Sequence, residues 1–402
     1  MTAPLHGIRV IDWTHVLAGP ACSYYLGLLG AEVIKVERPG RGDAMRHRGG
    51  TDNTRATSGM STAYLTQSAG KRSVALDLAT DAGQGVFRRL LQSADVLVEN
   101  HRPATLKHLD LTEDTTRSLN PRLIHCAMTG YGRANDMADA PAYDVNIQAI
   151  SGLMALTGTA DTGPTRTGAP IIDYATGLAG ALGVMSALMT RNQTGEGAFV
   201  DVSMLETAFT LMNSTITDYR LTGTAPKARG NAANSRSPSS GVFACAQGHL
   251  SLGVNEDAQF RALAHALGRS EWLTDPRFAD ASARDMHRSD LSQAIFDALR
   301  TRPASAWEHD LMAAGVPCAR LRTLPEALEL PPAAQRGFAE RGAHGFCGLP
   351  FTLPDRPLPE ASMAPQTLGE STRAVLENLG YDGQEIDALF TGGAVGGGRG
   401  TA

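Results

Sequence analysis

The chain has five cysteines, and no two of them form a C-x-x-C pair. Cys22, Cys126, Cys245, Cys318 and Cys347 are odd in number and widely spread, which excludes a disulfide framework and a cysteine zinc site, and the expected compartment is a reducing cytoplasm. Aromatics are scarce, at 5% of 402 residues, while 43 glycines accompany abundant alanine, a composition suited to close helix and backbone packing. There is no basic stripe, and the net charge is −5, so a nucleic-acid footprint is absent. The longest apolar run, GLAGALGVMSALM, is shorter than the roughly 20 residues a spanning helix needs, so it reads as a buried helix with no membrane role. MTAPLHGIRVIDW carries no basic region followed by an apolar run, and no signal peptide is expected. PGRGDAMR lacks the third glycine of a dinucleotide fingerprint. No phosphate-binding P-loop, nucleophile elbow or H-E-x-x-H pattern occurs, and the eleven histidines show no metal-ligand spacing.

What is present is an alternation of strand and helix signals through the first half. GIRVIDW, AEVIKVE, RSVALDL, ADVLVEN and RLIHCAMTGYG read as buried strands, with GPACSYYLGLLG and DAGQGVFRRLLQSA as helices between them. That order predicts an α/β fold with a doubly wound, Rossmann-like parallel sheet. Residues 165–217 are mainly helical apart from the strand FVDVSM. GTAPKARGNAANSRSPSS is a polar loop, VFACAQGHLSLGV a hairpin around Gln247 and Gly248, and helices follow from about 257 to 315. The expected organisation is a large domain over 1–215, a linker over 216–240, a smaller α/β domain over 241–330, a return segment over 331–395 completing the large domain, and a disordered glycine-rich tail over 396–402.

One acid stands out. Asp173 lies in GAPIIDYATGLAGALG, between isoleucines and a run of small apolar residues. A carboxylate removed from water needs a partner or a chemical task. One reading makes it the N-cap of a helix starting near Ala175, since Asp is a favoured cap. The other makes it a nucleophile or base, held charged by the same helix terminus.

Five blocks in order carry a resemblance over nearly the whole chain. They are VIDWTHVLAGPACSYYLGLLGAEVIKVERPGRGD, GKRSVALDL, DVLVENHRPATLKHL, PAYDVNIQAISGL and GAPIIDYATGLAGALGVMSALMTRNQTGEGAFVDVSMLE. The chain resembles the class III CoA-transferases, the family of formyl-CoA:oxalate, carnitine and benzylsuccinate CoA-transferases. The resemblance implies an acyl-CoA:carboxylate CoA-transferase with Asp173 as covalent nucleophile. The acid would form an anhydride with the acyl group and then an aspartyl-CoA thioester. It implies further that His15, Ala18, Arg38, Lys71, Arg72, Asn100, His101 and Met204 contact CoA, and that Tyr143 and Asp144 lie near the reacting centre. The implied substrates are a CoA thioester and a carboxylic acid, with no permanently bound cofactor and no metal, in an interlocked homodimer. Leu17 stands where oxalate-using relatives carry glutamine, and ARGNAANSRSPSSG lacks their run of glycines, so oxalate and formate are not expected; a short di- or hydroxy-carboxylate is. A sister group, the α-methylacyl-CoA racemases, keeps the acid but faces it with a histidine, where this chain has Tyr143. Racemase, thioester hydrolase and a non-catalytic CoA-ester binder are the alternatives to transferase.

Overall fold

The computed structural model describes residues 3–233, 235, 237–340, 345–354 and 364–397. Contacts divide the chain into two units. One comprises 1–153, 166–225 and 331–402, and the other 154–165 and 226–330.

The first unit is built on a sheet of seven strands. β1 (Arg9–Trp13), β2 (Glu32–Glu37), β3 (Lys71–Leu76), β4 (Val96–Glu99), β5 (Ile124–Thr129) and β6 (Ala198–Ser203) pair in parallel, in the order 3-2-1-4-5-6. Among the described residues, the helices of seven residues or more that cross between these strands are α1 (Ala18–Leu28), α2 (Thr62–Ser68), α3 (Asp81–Gln92), α4 (Glu113–Leu119), α5 (Asp144–Ile150) and α6 (Ile171–Thr194). After β6 come α7 (Met204–Leu211) and α8 (Asn213–Thr222).

Both faces of the sheet are covered, which is why its strands read as continuous apolar runs. Val10, Val33, Val98, Ile124 and Cys126 pack with Leu26 of α1 and Val184 of α6. Their neighbours Ile11, Ile34, Val74 and Leu97 turn to the other side, against Phe87 and Leu90 of α3. The period-2 alternation of the strands thus feeds two cores.

The small residues of α6 serve its approach to α1. A Cβ on Gly177 would lie 3.0 Å from the carbonyl oxygen of Ala18 and 2.9 Å from the Ala21 Cβ, and one on Gly180 would lie 3.1 Å from the Cys22 Sγ. With 24 residues, and a mean hydropathy of 1.5 over an 18-residue stretch, α6 is long and apolar enough to cross a membrane. One side packs on α1, β5 and β6, while Leu182 and Met189 on the other side are exposed, so the helix expected to be buried is buried along one side in this chain.

In the second unit β7 (Ser240–Ala244), β8 (His249–Gly253) and β9 (Cys318–Arg320) form an antiparallel sheet. The hairpin turns at Gln247 and Gly248, the latter with φ 76°. Leu250, Phe260, Trp272, Ile295 and Trp307 share a core with helices α9 (Asp257–Ala266), α10 (Arg288–Leu299) and α11 (Ala304–Ala313).

Three boundaries differ from the sequence expectation. The linker expected from 216 begins later, because α8 continues to Thr222 and stops at Gly223, whose φ of 67° forms a left-handed cap. Met154–Thr165 groups with the second unit, although it lies within the span assigned to the first. In the first unit, α12 (Thr372–Asn378) and α13 (Gly383–Thr391) precede β10 (Val395–Gly396), which pairs antiparallel with β3. The tail expected to be disordered from 396 therefore starts as an edge strand, and 398–402 lie outside the described residues.

Candidate active site

β1 and β4 are neighbours in the sheet, yet β1 leads to β2 on one side and β4 to β5 on the other. Ligands of open α/β sheets bind outside the carboxyl ends of strands at such a switch point. A crevice of about 320 Å³ opens there.

The loop after β1 is fixed from three sides. The amide of His15 donates to Asn100 Oδ1 at 2.9 Å, and Asn100 Nδ2 donates back to the His15 carbonyl at 2.8 Å, joining the two loops. Val16 has φ 69°, a left-handed conformation that costs a β-branched residue energy. Its amide donates to Asp43 Oδ1 at 3.2 Å, and Lys35 Nζ donates to the Thr14 carbonyl at 3.0 Å. A buried charge cluster supports this turn. Lys71 Nζ lies 2.8 Å from Asp12 Oδ2 and Lys35 Nζ 3.2 Å from Asp43 Oδ2. Burial by itself would raise the Asp12 carboxyl, but Lys35 and Lys71 prevail and hold it down at about 2.

On the β4 side, the His101 amide donates to the fully buried Glu99 carboxylate at 2.7 Å, and the imidazole packs on Trp13 with ring centroids 3.8 Å apart. Burial first, then His15, pushes His101 down to about 3. Burial also lowers His15. Both rings are neutral near pH 7, and they line the crevice without adding charge.

Asp173 reaches the crevice from the first turn of α6. It is not the N-cap. The helix starts at Ile171, and the cap position is Pro170, which offers no capping side chain. The free amides of Ile172 and Asp173 are taken by Asp144 Oδ2, at 2.8 and 3.2 Å. A cap 29 residues upstream is invisible to local pattern rules. No hydrogen bond to the Asp173 side chain occurs among the described residues, so its oxygens are free. Burial first, then Asp144, pushes its carboxyl up to about 7.

Of the residues expected at the site, the crevice gathers His15, Ala18, Asn100, His101, Tyr143, Asp173 and Met204. Asp144 lies behind it, buried against α6. Lys71 requires a correction. A CoA phosphate needs an accessible ammonium, whereas Lys71 is 2% exposed and bonded to Asp12, Ser23 Oγ and the Pro20 carbonyl. Arg72 pairs with Glu32 at 3.0 Å, and Arg38 is exposed after β2; neither lines the crevice. Sequence reasoning missed the support beneath the turn. Asp12 carries the same signal as Asp173, an acid among apolar residues, whereas Glu99 ends β4 and Asp43 lies in the loop after β2, positions that gave none. Arg102, at the crevice mouth, was also overlooked. No cluster of metal-ligating side chains occurs among the described residues.

A doubly wound sheet with a crevice at its switch point, lined by a partly buried acid, is the architecture of an α/β protein that binds its ligand at the carboxyl ends of its strands. Residues 5–372 match the sequence pattern of CoA-transferase family III. The chain belongs to this family and is a CoA-transferase, a class of enzyme whose substrates are CoA thioesters. It is 35% identical to the acetyl-CoA:oxalate CoA-transferase of Acetobacter aceti, across 83% of this chain and 84% of that protein. It is 34% identical to the succinate–glutarate CoA-transferase of Agrobacterium fabrum, across 94% and 96%. A crystal structure of a CAIB/BAIF family protein from Brucella suis superposes with a TM-score of 0.83 at 30% identity, covering 94% of this chain and all of that one.

Proposed function

We propose that this enzyme moves CoA from a donor acyl-CoA to an acceptor carboxylic acid through covalent intermediates on Asp173. The observation that carries the proposal is the free carboxylate of Asp173 in the crevice, unbonded and raised to about 7 by burial. An ionised carboxylate that is poorly solvated is a strong nucleophile.

The steps balance without a cofactor. A carboxylate oxygen of Asp173 adds to the thioester carbonyl, and CoA thiolate leaves, giving a mixed anhydride. The thiolate attacks the aspartyl carbonyl of that anhydride and expels the donor acid, leaving an aspartyl-CoA thioester. The acceptor carboxylate attacks this thioester and forms a second anhydride, from which the thiolate takes the acceptor acyl group and frees Asp173. Every intermediate is open to hydrolysis, so an apolar wall of Ala18, Met128, Ala142 and Met204 has a protective role. The β1 and β4 loops, locked by His15 and Asn100, would hold the pantetheine end, and the exposed Arg38 the nucleotide phosphates.

The acceptor proposed is a short dicarboxylate of the kind named for the succinate–glutarate relative; the similarity to an oxalate-using relative does not outweigh Leu17 and the missing glycine run. Racemisation would need a second base facing Asp173. Tyr143 stands at the sequence position where the racemases carry their histidine, and the two histidines lining the crevice have their basicity lowered by burial. For the proposed homodimer, α6, α7 and α8 offer an apolar surface that includes Leu182, Met189, Leu211 and Leu221, each at least 48% exposed.

The test is chemical trapping. The active enzyme is loaded with donor acyl-CoA without acceptor acid and treated with hydroxylamine, which attacks anhydrides and thioesters but not free carboxylates. Asp173 should become a hydroxamate, seen by mass on the peptide containing PIIDYATG. An unmodified peptide from active enzyme would refute covalent catalysis at Asp173.

A further inference from the structure

We infer that Asp144 is a positioning residue that keeps Asp173 basic by placing a like charge behind it while occupying the helix-terminal amides that would otherwise stabilise the Asp173 carboxylate. The inference rests on the reading of Asp173 as nucleophile.

A helix N-terminus offers free amides and a partial positive charge, and a carboxylate there is stabilised and made less basic. Asp173 sits in the first turn of a 24-residue helix, where this effect is largest. Asp144 occupies the amides first. Its Oδ2 accepts from Ile172 and Asp173, and its Oδ1 accepts from Gln148 Nε2 at 2.6 Å. Gln148 is itself held, because its Oε1 accepts from the Thr167 amide at 2.9 Å. This clamp joins α5 to the segment entering α6, and both partners are buried. Three donors aimed at the two oxygens of Asp144 suit an ionised carboxylate. Asp173 is left with a like charge behind it and no donor of its own.

Among the described residues no other group, the Arg102 guanidinium included, acts on the Asp173 carboxyl to offset this. Across the crevice stand the titratable or charged side chains of His15, His101, Tyr143 and Arg102. Burial lowers both histidines, so neither is a cation near neutral pH. Burial and Asp144 are the two influences that act on the Asp173 carboxyl, and both raise it; α1, β5, β6 and α7, packed against α6, add no third. A more basic carboxylate is the better nucleophile, at the cost of being protonated below neutral pH.

The test uses Asp144→Asn, which keeps an acceptor oxygen for the two amides and removes the charge. Two pH profiles are read on the full chain. One is kcat/KM, and the other is carbodiimide labelling of Asp173, which follows the protonated carboxyl without turnover. In the native chain labelling should fall with a midpoint near 7. In Asp144→Asn the midpoint should drop by about one unit, the shift expected when a neighbouring like charge is removed. Activity at pH 6, as a fraction of its own plateau, should then rise about fivefold, from about one-tenth to about one-half. Asp144→Glu, which restores the charge, should return both profiles toward native. An unmoved or rising labelling midpoint in Asp144→Asn overturns the inference. If that variant does not fold, the same midpoint is read in Asp144→Ser, which also removes the charge and keeps a hydroxyl acceptor; a fall of about one unit there upholds the inference and an unmoved or rising midpoint overturns it. A labelling midpoint that moves while the kinetic limb does not would uphold the action of Asp144 and instead sink Asp173 as nucleophile.

Discussion

Asp173→Asn should make this enzyme more stable while ending transfer, and the gain should depend on pH. The folded chain holds the Asp173 proton up to about 7, while an unfolded chain loses it near 3.8. The stability from that extra proton is complete below about pH 4 and is lost as pH rises through 7. A displacement of about three units corresponds to about 4 kcal/mol at pH 8. The side chain is partly open to the crevice, so solvent screening reduces the cost to about 2 kcal/mol. Asparagine carries no charge but brings a polar amide without a partner, which gives back up to about 1 kcal/mol. The expected net gain is about 1 to 2 kcal/mol at pH 8 and near zero at pH 5, where the native acid is already mostly protonated in the fold. The assay is the thermal midpoint of variant and native protein at both pH values, with activity measured alongside. A difference of about 1 to 2 °C at pH 8 that shrinks at pH 5 is expected. A variant less stable than native at pH 8, or an equal difference at both pH values, would refute the electrostatic account. Retained transfer would refute the nucleophile.

Lys71→Met should lower stability by about 3 kcal/mol, because it leaves the buried Asp12 carboxylate with Lys35 4.0 Å away as its remaining ion pair. Denaturant melts read this, and a raised KM for CoA thioester with unchanged stability would restore Lys71 to the binding site. Gly177→Val should cost about 2 kcal/mol or more and most of the activity, since the new Cβ lies 3.0 Å from a backbone oxygen of α1 and forces apart two helices that line the crevice. Native-like melting with native kcat would show that the α1–α6 contact is loose.

The sheet was legible in the sequence because its cause is local. Runs such as VLV in β4 and VI in β1 are apolar on both faces, as a strand buried on both sides requires. Asp173 was legible for a similar reason: an acid among small apolar residues is costly wherever the chain takes it. Its role as a cap was misjudged because the helix begins two residues before it and the cap comes from Asp144.

The sequence by itself determined the strands, the large helices and the isolation of one acid, since each follows from neighbours a few residues apart. Only the tertiary structure decided which charges are free. Lys71 and Arg72 are adjacent in sequence and look alike there, yet one is sealed against Asp12 and the other sits at the edge with Glu32. His15 and Asn100 meet across 85 residues, and Asp144 finds the start of α6 across 28. Hydrogen bonds and ion pairs act over about 3 Å of space whatever the distance along the chain, so the folded sheet, which brings the β1 and β4 ends together, decides which groups bind one another and which carboxylate is left free to react.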